Sequence, residues 1–151
     1  MSSIRRTTAV AMIGAAALVA ASAAPAVAGS SSGRPLTATL TGASEVPGPG
    51  DTDGTGSARV TINVGQKRLC YTIKVAGIVL PAAAAHVHDA DAGKSGDVVI
   101  ALSAPGADGT ATGCATVTRT LLKEILHDPA GYYVNVHNSV FPGGAVRGQL
   151  G

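Results

Sequence analysis

Tyr132-Tyr-Val-Asn-Val-His-Asn-Ser-Val-Phe-Pro-Gly-Gly-Ala-Val-Arg-Gly-Gln-Leu150 is the stretch whose reading decides the fold. Two runs that alternate apolar and polar residues flank a Phe-Pro-Gly-Gly turn, the pattern of a β-hairpin with one buried face. Strand side chains alternate with a period of two, so Tyr132, Val134 and Val136 share one side and Tyr133, Asn135 and His137 the other. In the second arm Val146, Gly148 and Leu150 continue the apolar side. Ala145, Arg147 and Gln149 then join Asn135 and His137 on the opposite side, which is expected to point away from the core.

Working towards the N-terminus, Thr118-Arg-Thr-Leu-Leu-Lys-Glu-Ile-Leu126 carries a helical signal, with Leu121, Leu122, Ile125 and Leu126 on one face and a threonine as N-cap. His127-Asp128-Pro129 ends it, and His127 reads as a C-terminal cap or solvated residue. Thr110 to Val117 is a short strand bearing Cys114, and Asp97-Val-Val-Ile-Ala-Leu102 is another. His86-Val-His88 lies on a strand that projects both histidines from one side with Val87 behind them. Thr55 to Val64 and Arg68 to Val75 pair as a hairpin about Gly65-Gln66, with Leu69, Tyr71, Ile73 and Val75 inward and Cys70 outward. Leu36 to Ala43 is the first strand, and Pro47 to Gly54 is a loop that no ladder can cross. Short strands at this spacing predict an antiparallel β-sandwich, immunoglobulin-like or of the superoxide-dismutase-like Greek-key type, with seven to eight strands and one short helix.

The first 28 residues read as a secretory signal peptide: Arg5 and Arg6, an Ala-rich apolar run, then Ala26-Val27-Ala28 as the cleavage signal. Residues 29–35 read as a flexible leader and 36–151 as the domain. The product is expected to be secreted, with no membrane partner after cleavage. Loss of Arg5 and Arg6 takes the chain from +2 to nine Lys/Arg against nine Asp/Glu, which argues against nucleic acid and other polyanions as partners. Two cysteines in an exported chain, Cys70 and Cys114, are most simply a disulfide.

Several motifs fail on inspection. Gly93-Lys94-Ser95 lacks the first glycine of a phosphate-binding loop and precedes a strand where a helix is required. Asp51-Thr-Asp53-Gly54 lacks the distal glutamate of a calcium loop. There is no Gly-x-Ser-x-Gly elbow, and no pair of carboxylates stands at a catalytic spacing. Hydrolytic catalysis is therefore not expected.

The motifs His86-Val-His88 with Asp97-Val-Val-Ile-Ala-Leu102, Asp128-Pro-Ala-Gly-Tyr-Tyr-Val-Asn-Val-His137 and Phe141-Pro-Gly-Gly-Ala-Val-Arg-Gly-Gln-Leu150 resemble those of the CHRD domain, over about Leu36 to Leu150. That family, named from chordin, occurs in exported bacterial proteins. The resemblance implies an all-β extracellular domain of immunoglobulin-like architecture, and with it an extracellular binding or matrix module whose partner is a protein or polysaccharide. The Asp89-Ala-Asp91 turn departs from the family, which more often has a basic or Gly-rich stretch there. His-x-His on one strand, a histidine on another and an arginine nearby are also similar to the copper site of copper/zinc superoxide dismutases, without that family's long metal-binding loop. The alternative function this implies is a mononuclear copper protein with His86, His88 and His137 as ligands and dismutase-like activity, Arg147 steering the anion. The competing reading is a buried polar network in which His86, His88, Asn135 and Arg147 hydrogen-bond each other and neighbouring carbonyls and pin strand register; Arg147 equally reads as the ion-pair partner of Asp97 or Asp89.

Overall fold

The structure, a computed structural model, describes residues 33–151; the segment read as a signal peptide and most of the leader lie outside the described residues. Eight strands form one antiparallel sheet: β1 (Arg34–Thr41), β2 (Thr55–Asn63), β3 (Arg68–Ala76), β4 (Ala84–Asp89), β5 (Asp97–Leu102), β6 (Thr110–Thr116), β7 (Tyr132–His137) and β8 (Val146–Gln149). Their order is β5-β4-β7-β8-β1-β2-β3-β6. The β3–β4, β5–β6 and β6–β7 connections cross from one half of the sheet to the other, so hairpins and crossovers mix as in a Greek key. The sheet curls until its two edges, β5 and β6, approach each other without laddering, which makes the sandwich a single, nearly closed sheet. β1 begins at Arg34.

The alternation that defines the strands also fills the interior. Leu36, Ala38 and Leu40 of β1 face Ala58, Val60 and Ile62 of β2, Leu69, Tyr71 and Ile73 of β3, Val87 of β4, and Val134 and Val136 of β7 across one continuous core. Burying a Val, Leu or Ile side chain contributes roughly 1.5–3 kcal/mol, so this aliphatic set stabilises the fold despite its poverty in aromatics. Helix α1 (Arg119–His127) starts where Thr118 Oγ1 accepts the Leu121 amide at 3.3 Å, and it closes one end of the sheet with Leu122 and Ile125. Cys70 and Cys114 stand directly opposite each other on β3 and β6, outside the core, and are joined as a disulfide. Among the described residues no helix is long and apolar enough to cross a membrane.

β7 and β8 pair with Asn135 opposite Arg147 and Val134 opposite Gly148. The side that points away from the core is itself buried, in keeping with the polar-network reading: Tyr133, Asn135 and Arg147 are 3 %, 2 % and 1 % exposed. The turn between β4 and β5, residues 90–96, folds over it. Arg147 donates to the carbonyls of Lys94 (2.7 Å) and Asp91 (3.0 Å), and Gln149 donates to that of Ala90 (3.0 Å). Ser95 Oγ then ties the turn to the Val46 carbonyl at 2.6 Å.

Candidate functional site

Strand register brings the three histidines together. β4 pairs with β7 so that Ala84, His86 and His88 lie opposite His137, Asn135 and Tyr133. His86, His88 and His137 therefore project from one side of two adjacent strands, with Val87 buried behind them. One ligand atom from each lies within 4.8 Å of the others. The His86 and His137 rings contact edge to face at 5.0 Å, and His86 and His88 at 5.5 Å.

Backbone carbonyls fix two of the rings. His137 Nδ1 lies 3.0 Å from the Pro142 carbonyl oxygen, and His88 Nδ1 lies 2.9 Å from that of Gly96. A carbonyl only accepts, so each Nδ1 carries a proton. His137 Nε2 meets His86 Nδ1 at 3.1 Å, and His88 Nε2 lies 3.1 Å from Asn135 Oδ1, itself an acceptor, so that contact is a hydrogen bond only when Nε2 carries a proton or the Asn135 amide is turned to present its NH2. Burial pulls the His86 pKa below its ordinary value, reinforced by the neighbouring His137 and His88. Burial also lowers that of His137, against the raising effect of the Pro142 carbonyl. Both rings are thus held neutral near pH 7, the state in which an imidazole ligates a metal.

A stack of three planar groups backs the cluster. The His88 ring lies parallel to that of Tyr133, centroids 4.7 Å apart, and the Arg147 guanidinium covers Tyr133 at 3.3 Å. The expected network is present in part: His88 Nε2 and Asn135 Oδ1 are in contact and Arg147 bonds neighbouring carbonyls, but its donors go to Lys94, Asp91 and Gln149 and it touches the cluster only through Tyr133. Neither Asp97 nor Asp89 pairs with it. Asp97 lies opposite Asp89 at the end of β4, exposed, and makes no side-chain hydrogen bond among the described residues, so it does not support the site. Buried Arg147 is likewise not positioned to steer an anion. His127 sits apart, in a cavity of about 370 Å³ lined by acidic residues that include Asp89, Glu124 and Asp128.

Sequence reasoning missed Glu45, which is 5 % exposed, with Oε1 buried and unpartnered. Burial raises its pKa to about 7, while the Arg147 charge and the Val46 amide pull it down. Its carboxylate occupies the space a side chain at Gly144 would fill, and Gly144 adopts a φ of 142°. The residue stands alone in a Pro/Gly loop, where no periodicity signals burial. The partner carbonyls of Pro142 and Gly96 carried no signal at all, because they belong to turns.

A model of the CHRD domain matches residues 36–150, which includes every histidine of the cluster and both cysteines. The chain belongs to the CHRD family. A search of curated proteins finds no match. In this CHRD domain the motifs quoted for the resemblance map onto β4, β5, β7 and β8, the four strands that build and cover the histidine cluster.

Proposed function

We propose that this CHRD domain is an extracellular-type binding module whose histidine cluster takes up one transition-metal ion, copper(II) foremost. The observation that carries the reading is that His86, His88 and His137 each offer a ring nitrogen within 4.8 Å of the others, while the Nδ1 atoms of His88 and His137 are committed to the Gly96 and Pro142 carbonyls. Carbonyl partners of this kind orient ligating histidines in metal proteins. Imidazole nitrogens bind zinc or copper at about 2.0–2.1 Å, so three tetrahedral ligands stand roughly 3.4 Å apart. His86 and His137 are already at 3.1 Å, and a 4.8 Å span closes by ring rotation. Among divalent ions an all-imidazole set favours copper over zinc. The ion replaces the His86–His137 hydrogen bond and the His88–Asn135 contact. The bridged Cys70–Cys114 pair and the family support an oxidising, extracellular setting.

The test is titration of the purified protein with copper(II), read by calorimetry and electron paramagnetic resonance, alongside His88→Ala, His137→Ala and the off-cluster control His127→Ala. Stoichiometric uptake with nitrogen hyperfine structure, lost in the first two variants and kept in the third, is the expected result. Weak uptake that no substitution changes would leave the cluster as a structural network.

A further inference from the structure

The neutral total charge of the domain conceals a segregation across the sheet. β1, β2, β3 and β6 carry Arg34, Arg59, Arg68 and Lys74 and not one Asp or Glu, whereas β4 and β5 carry Asp89 and Asp97 and no Lys or Arg. The outward residues of the first group fall into two rows set by the register. One runs Thr37, Arg59, Thr72, Thr112 across the four strands, and the other Thr39, Ser57, Lys74, Thr110. Each row holds three hydroxyls and one cation and spans three strand separations, about 14 Å. A shallow depression of about 390 Å³ follows its centre, lined by Thr37, Thr39, Ser57, Arg59, Thr72 and Lys74. Arg59 and Lys74 have no carboxylate partner among the described residues. Asp108 engages the Thr110 hydroxyl at the β6 end and closes the second row there.

We infer that this face binds an anionic polysaccharide bearing carboxylate groups, a polyuronate, laid across the strands. Hydroxyl side chains both donate to and accept from sugar hydroxyls, and the two free cations take the carboxylates. The face has no aromatic residue, so it lacks the platform a protein hot spot would use. One cation per row matches a chain with a single carboxylate on each sugar better than a nucleic acid, with its charge every 1.7 Å of duplex. The inference stands apart from the histidine site, which lies on other strands.

The experiment is affinity electrophoresis and calorimetry of the whole protein on polygalacturonate, with heparin and dextran as the sulfated and neutral comparisons. Polygalacturonate should bind and weaken as salt rises. Arg59→Ala/Lys74→Ala should lower its affinity about tenfold, and Thr39→Val should lower it less. Both cations are exposed, and an unchanged melting temperature checks the fold of the double variant. His88→Ala should leave the interaction untouched while abolishing copper uptake, so the two readings fail separately. No binding of polygalacturonate, equal binding of dextran, preference for heparin, or indifference to the double substitution would each overturn the proposal.

Discussion

Replacing Glu45 with glutamine keeps the shape of the side chain and removes its charge, which isolates the cost of a buried carboxylate. An unfolded glutamate releases its proton near 4.5, whereas in the folded domain burial holds the proton to about 7. Between those values the native state binds more protons than the unfolded chain, so its stability falls as pH rises through the window and levels off above it. The gap of roughly 2.5 pH units corresponds to a cost on the order of 3 kcal/mol at pH 8. Below pH 4.5 the cost vanishes because both states are protonated. The glutamine variant does not titrate, and every other ionisable group cancels in the difference. Urea denaturation of the two proteins at intervals from pH 4 to 8, followed by far-ultraviolet circular dichroism, should therefore show the variant gaining on the parent by that amount. A difference that stays constant with pH, or that shrinks towards pH 8, would refute the reasoning.

Gly144→Ala places a Cβ on the Glu45 carboxylate at a positive φ, and should lower stability by about 2–4 kcal/mol; Gly143→Ala, with nothing within 4 Å, should change it by less than about 0.5 kcal/mol in the same denaturation assay. Tyr133→Leu removes the surface on which both His88 and Arg147 stack and should cost about 2–4 kcal/mol, while Tyr133→Phe, losing one long bond from the Gly96 amide at 3.4 Å, should be nearly neutral. Cys70→Ser/Cys114→Ser opens a loop spanning a sequence separation of 44 and should cost roughly 4 kcal/mol. Dithiothreitol should reproduce that loss in the parent and add nothing to the variant, as thermal melts would show.

Strands, helix and cross-strand disulfide were legible because each leaves a local mark: the alternation in Arg68–Val75, the apolar stripe of Leu122 and Ile125, Cys70 pointing outward. The histidine cluster was legible only as to side. Alternation places His137 opposite the core, but its meeting with His86 depends on the β4–β7 register, across 51 residues of chain, which no short window contains. The burial of Arg147 was legible as the buried-network reading, but which carbonyls hold it was not, for a related reason. Its partners are backbone carbonyls of the turn at residues 90–96, and carbonyls have no residue-type signature, so aspartates were the visible candidates. Arg147 fits there because five guanidinium donors can be shared among carbonyls while the flat group rests on Tyr133.

The position of β8 in the sheet bears on the order of folding. Last of the eight strands along the chain, it is fourth across the sheet, between β7 and β1. The strand pairs β1–β2–β3–β6 and β5–β4–β7 can each form without it, but they are joined through its four residues, by the Thr41–Arg147 pairing and the exchange of hydrogen bonds between Thr37 and Gly151 at 2.9 Å. A chain emerging from a ribosome or a translocon can therefore build two half-sheets early and must wait for Val146–Gln149 to fasten them. Arg147 also carries the bonds that draw the 90–96 turn over Tyr133. The turn is therefore expected to settle over Tyr133 only once β8 is in place, and a chain stalled before β8 leaves the β7 and β1 edges open in addition to those of β5 and β6.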